Sequence, residues 1–137
     1  MWWIYALLSA FFASLTAIFA KIGVTNVNSD LATAIRTIVI LVVAWGIVLA
    51  RGELKGITDL SKHSIWFLIL SGMATGLSWI FYYKALQMGK VSQVAPVDKL
   101  SVALTIILSV IILKETLTVK AAFGAIFILI GTIILIF

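Results

Sequence analysis

Five stretches of this chain, residues 2–20, 31–50, 64–86, 91–113 and 119–137, are each about as long as a bilayer is thick in helical form, and nearly all their side chains are apolar. A hydrocarbon core of about 30 Å is crossed by about 20 residues rising about 1.5 Å each. Backbone polar groups find no water there, so an isolated crossing segment closes its hydrogen bonds internally as a helix. The sequence predicts an all-α integral membrane protein with five transmembrane helices. Composition agrees: 64% of the 137 residues are hydrophobic and 11% charged, more apolar surface than a soluble domain of this size can hide.

The breaks between runs carry stop and start residues. Asn26, Asn28, Ser29 and Asp30 precede the second run, Arg51-Gly52-Glu53 through Lys62 precede the third, Gly89-Lys90 the fourth, and Lys114-Glu115-Thr116 the fifth. Asp30 and Thr118 stand where N-caps are expected. Only the connection from Arg51 to His63 is long, so neighbouring helices form antiparallel hairpins. The first run has no basic leader and is longer than a signal-peptide core, which predicts a retained helix. Trp2, Trp3, Tyr5 and Trp66 suit the membrane interface. An odd number of crossings puts the two termini on opposite sides.

Several function classes drop out. Cys is absent, removing disulfides, thiolate nucleophiles and Cys-based metal sites. The single histidine, His63, lies in the polar connection and reads as a solvated loop residue. The net charge of +5 comes from basic residues near helix ends, the usual way a membrane protein meets anionic headgroups, so it does not point to nucleic acid. No nucleophile with a base, carboxylate pair or metal cluster is visible, and neither an enzyme nor a cofactor is expected.

Helices in lipid associate through small residues and interhelical hydrogen bonds. The third run carries Gly72-Met73-Ala74-Thr75-Gly76; the fifth carries Ala121, Gly124, Ala125 and Gly131; the first carries Ser9, Ala13 and Ala17 at four-residue spacing. In the fourth run Asp98, Ser101, Thr105 and Ser109 fall on one stripe at about 100° per residue. Pro96 precedes the stripe, where it either caps the first turn or kinks the helix. Such a helix can line a hydrated cavity, with Gly72, Gly76, Trp79 and Tyr83 of the third run as a facing wall beside Tyr82 and Lys84. Charges inside spans cost free energy unless paired or wet, and they mark transport pathways. Asp98 and Lys99 are adjacent and therefore point about 100° apart. The reading that follows has Lys99 reaching outward while Asp98 pairs with Arg36 or Lys84 of another helix. Arg36 can also reach toward the interface.

The run "YYKALQMGKVSQVAPVDKLSVALTIILSVIILKETLTVKAAFGAIFILIGTIILI" resembles the EamA-type domain of the drug/metabolite transporter superfamily. The resemblance rests on Tyr82-Tyr83 with Ala85-Leu86 closing the third helix and Ala95-Pro96 opening the fourth. Leu113 and Glu115 at the next turn, Gly124 and Gly131 in the fifth helix, and Arg36 in the second complete it. It implies one half-transporter repeat spanning residues 1–137, in a superfamily whose members commonly fuse two inverted repeats. The chain is similar, more distantly, to small multidrug resistance proteins. Their essential first-helix glutamate has no counterpart here, and Asp98 is the one acidic residue well inside a span.

The expected function is secondary transport of small metabolites or drug-like compounds across a prokaryotic plasma (inner) membrane by alternating access. The pathway is expected at Asp98, Ser101, Thr105, Trp79, Tyr83, Lys84, Arg36 and Lys99, with possible proton coupling at Asp98. Net positive spans favour an anionic or zwitterionic substrate. An accessory subunit of a hetero-oligomer and a flippase of lipid-linked sugars are the alternatives. Arg51, Lys55, Lys62, Lys114 and Lys120 fall on the N-terminal side, against Lys21, Lys84, Lys90, Lys99 and Arg36 toward the other. So even a bias lets one sequence insert both ways, and two inverted copies make an antiparallel homodimer, with Ala121, Gly124 and Ala125 at its seam.

Overall fold

The computed structural model describes residues 1–136, so the expected final residue of the fifth helix, Phe137, lies outside the described residues. It contains α1 (Trp2–Gly23), α2 (Ser29–Arg51), a 3-10 turn (Glu53–Ile57), α3 (Lys62–Met88), α4 (Val91–Asp98), α5 (Leu100–Ile112) and α6 (Val119–Ile136). Taking α4 and α5 together, these make five helical segments long and apolar enough to cross a membrane. The first three helices run two or three residues beyond the apolar runs at one or both ends, because polar residues extend a helix into the headgroup layer.

Local chemistry sets the ends. The N-cap of α2 is Asn28 rather than Asp30: Asn28 Oδ1 accepts from the backbone N–H of Asp30 at 2.8 Å and of Leu31 at 3.4 Å. Asp30 falls one residue inside, where its charge still suits the positive helix end. Thr118 does cap α6, its hydroxyl accepting from Ala121 N at 3.2 Å. Ser61 Oγ takes the N–H of Ser64 at 3.0 Å at the start of α3. His63 therefore lies in the first helical turn and not in the loop, its ring 4.7 Å from that of Phe67 one turn on. Gly52 closes α2 in the left-handed region (φ 68°), a conformation open to glycine at little cost. Lys114 adopts the same region (φ 56°) after α5, where the N–H of Glu115 bonds back to Ser109 O at 3.2 Å.

The fourth span is two helices, not one. The missing N–H of Pro96 concerns the carbonyl of Ser92, one turn earlier, whereas the break comes three residues later, where the N–H of Lys99 divides between Ala95 O (3.3 Å) and Pro96 O (3.0 Å). The backbone tightens toward 3-10 geometry at Lys99, and α5 starts again at Leu100.

The chain forms two compact units, Phe19–Gln87 and Met1–Ile18 with Met88–Phe137. In the first, burial is concentrated at Ala20, Val24, Ser29, Thr33, Tyr83 and Leu86. These come from the end of α1, the start of α2 and the end of α3. In the second, α6 packs along α4 and α5, with Ala103 and Thr132 buried. Ile38, Leu41, Phe81, Phe127 and most other large apolar side chains are exposed. That is costly in water and neutral in lipid, whose tails are as apolar as leucine.

Candidate functional site

In the Phe19–Gln87 unit the constellation centres on Trp79. Residues three and four apart on a helix are neighbours, so Tyr82 and Tyr83 both meet the Trp79 indole edge to face, with ring centroids at 5.4 and 5.5 Å and planes at 80° and 88°. Arg36 reaches across from α2 and lays its guanidinium carbon 3.3 Å from the Trp79 ring centroid. Arg36 is seven residues inside α2, about 10 Å along its axis, and Trp79 is nine residues before the end of α3. The guanidinium is thus held at depth on an aromatic face instead of reaching to the interface. A cation–π contact is worth about 0.5–2 kcal/mol, less than the about 2.5–3.5 kcal/mol that insertion scales assign to a charge at a helix centre. Tyr83 is buried, Trp79, Tyr82 and Arg36 are half-buried, and Lys84 is exposed.

The same unit has a polar lock at one end that the sequence reading missed. Lys21 Nζ donates to Leu86 O, while Gln87 Nε2 donates to Val24 O at 3.1 Å and to Val27 O. The last carbonyls of a helix have no partner within it; here a side chain near each helix end serves carbonyls at the other. The available signal was an amide, Gln87, in the final turn of α3. At the far end of α2 the 3-10 turn folds back to form an open apolar hollow of about 250 Å³, lined by Ala44, Trp45, Val48, Glu53, Gly56, Ile57 and Leu60.

In the other unit Asp98 and Lys99 flank the break. Within its own unit Asp98 pairs with its neighbour: its carboxylate lies 3.3 Å from Lys99 Nζ, the side chains 36% and 57% exposed. Adjacent positions diverge on a regular helix, but the backbone tightens here and a lysine stem is long enough to curl back. An exposed pair of this kind is worth about 0–1 kcal/mol. The hydroxyl of Thr105 donates to Ser101 O at 2.8 Å and that of Ser109 to Ile106 O at 3.0 Å, so their donors are satisfied within the helix. Ser101 and Thr105 are exposed. Thr132 of α6 donates to Pro96 O at 3.2 Å, tying the carbonyl beside the break to a second helix. Ala121 and Ala125 are half-buried, whereas a Cβ built at Gly72, Gly76, Gly124 or Gly131 would meet no neighbouring atom within 4 Å.

Comparison with known proteins places this arrangement. The model of the EamA-like transporter family matches residues 1–137. A Sinorhizobium protein named "Uncharacterized transporter in cobO 3'region" is 47% identical over 134 residues, 98% of this chain and 95% of that one. An uncharacterized protein of Methanocaldococcus jannaschii is 33% identical over 132 residues, 96% of this chain and 93% of that one. No solved structure matches. Five apolar spans and a family match from end to end agree: this multi-pass membrane protein belongs to the EamA-like transporter family.

Proposed function

We propose that the chain is a secondary transporter that carries a small anionic or zwitterionic metabolite across a prokaryotic plasma membrane by alternating access, as an antiparallel pair of copies. The observation that carries this reading is the break of the fourth span at Lys99, beside the ion pair and above the exposed Ser101 and Thr105. Interrupted spans with polar groups at the interruption are where transporters hold substrate and coupling ions. Asp98 is the coupling group in this reading. Its exposed tie to Lys99 is weak enough to be exchanged for a cationic group of the substrate, and Ser101 and Thr105 line the path below it.

The paired assembly has two supports. Among the described residues of its own unit, a Cβ at Gly72, Gly76, Gly124 or Gly131 would meet no neighbouring atom within 4 Å, which leaves the glycine faces of α3 and α6 room for close approach. The two relatives are also about one repeat long, since the match covers 95% and 93% of them.

The deciding experiment reconstitutes the purified protein in liposomes and follows uptake of candidate solutes under a proton gradient, for the wild type and Asp98→Asn. Wild-type uptake that Asp98→Asn abolishes or uncouples supports the reading. Uptake by Asp98→Asn with unchanged gradient dependence removes Asp98 from coupling. Uptake that appears only with a second membrane protein favours an accessory subunit. C-terminal reporters active on one side of the membrane only test the dual insertion that an antiparallel pair needs.

A further inference from the structure

Arg36 is a cation seven residues inside α2 whose charge no described residue of its own unit balances. Among the described residues of the Phe19–Gln87 unit no carboxylate lies within 4.0 Å of the Arg36 guanidinium, and none of its N–H donors makes a hydrogen bond. One face of the guanidinium is covered by the Trp79 indole, which fixes its plane and leaves the N–H edge as the part that can act. That edge carries paired donors in a fork matching the two oxygens of a carboxylate.

We propose that Arg36, seated on Trp79, is the receptor for a single carboxylate of the transported solute, and that the aromatic cluster lies against an apolar or flat body attached to it. Charge sets the valence: one unbalanced guanidinium neutralises one negative charge, so a monoanion fits better than a dianion. The aromatic cluster sets the body, since the half-buried rings of Trp79 and Tyr82 meet edge to face, with the guanidinium on Trp79 and buried Tyr83 backing it. Stacking also distinguishes arginine from lysine here, because an ammonium can neither lie flat on the indole nor bind two oxygens at once. The inference rests on reading the chain as a carrier of small solutes and names the group by which such a solute is held.

The test measures binding, which is separable from transport. Purified protein in detergent is titrated calorimetrically with phenylacetate, its neutral amide phenylacetamide, and 2-phenylethylammonium. Phenylacetate is expected to bind at least about tenfold more tightly than the amide, a difference of about 1.4 kcal/mol, with the ammonium weakest. Arg36→Lys is expected to lose about tenfold for phenylacetate, Arg36→Met to lose binding, and Trp79→Phe to weaken it several-fold. Circular dichroism and gel filtration establish that each variant is folded; if Arg36→Met is not, Arg36→Lys and the wild-type ligand series still decide. Equal affinity for acid and amide, preference for the ammonium, no binding of phenylacetate up to about ten millimolar, or unchanged binding by folded Arg36→Met each overturns the assignment. Carboxylate binding without flux in liposomes keeps the receptor and sinks the transport reading. Flux insensitive to Arg36→Met does the reverse.

Discussion

Thr132→Val tests how the broken fourth span is held. The hydroxyl donates to Pro96 O at 3.2 Å, toward the long end of the range, and Thr132 is 4% exposed. Valine keeps the shape, so no cavity forms and only the hydrogen bond is lost. Pro96 O keeps the Lys99 N–H at 3.0 Å, so the substitution leaves no buried acceptor without a donor. The cost is therefore the net worth of one neutral interhelical bond in a membrane protein, about 0.6 kcal/mol and no more than about 1.7 kcal/mol. Thr132→Ala loses the same bond and a buried methyl as well, about 1 kcal/mol further. Both are measured by unfolding in mixed micelles of increasing sodium dodecyl sulfate, followed by loss of helical circular dichroism. If valine costs more than about 2 kcal/mol, or as much as alanine, Pro96 O depends on Thr132 alone and the sharing argument fails.

Gln87→Leu removes both bonds to the connection between α1 and α2, so backbone amides from Val24 to Leu31 should exchange with deuterium measurably faster, while those of α6 should not change. Asn28→Ala should cost about 0.5–2 kcal/mol in the same micelle titration, whereas Asp30→Ala should cost less, because Asn28 is the cap. Lys114→Gly relieves a left-handed conformation that costs a side chain about 1–2 kcal/mol, and is expected to stabilise by up to about 1 kcal/mol after the greater chain entropy of glycine; a loss of stability would show that the Lys114 side chain holds the turn. Gly124→Ala adds a Cβ that meets no neighbouring described atom within 4 Å and should leave monomer unfolding within about 0.5 kcal/mol of wild type while lowering the cross-linked dimer fraction in membranes; an unchanged fraction removes Gly124 from the seam.

The number, length and order of the spans were legible in the sequence because lipid imposes them: a run of about 20 apolar residues has one good structure in a bilayer, whatever its neighbours are. A disturbance near Pro96 was legible because the missing N–H is a property of that residue; that the helix breaks three residues on, at Lys99, and resumes at Leu100 depended on how the Lys99 N–H was shared. Trp79 and Tyr83 could be placed on one face by spacing alone. What spacing could not reach was the pairing of polar groups distant in the chain. Arg36 could reach toward the interface or across to another helix, and only the approach of α2 and α3 laid it on the Trp79 indole. Gln87 and Lys21 found carbonyls some 60 residues away, bonds that no local pattern encodes. A hydrophobic run reports its solvent, and the sequence carries that. A single polar side chain among many apolar ones reports only that a partner is needed, and the packed helices decide which one lies within reach.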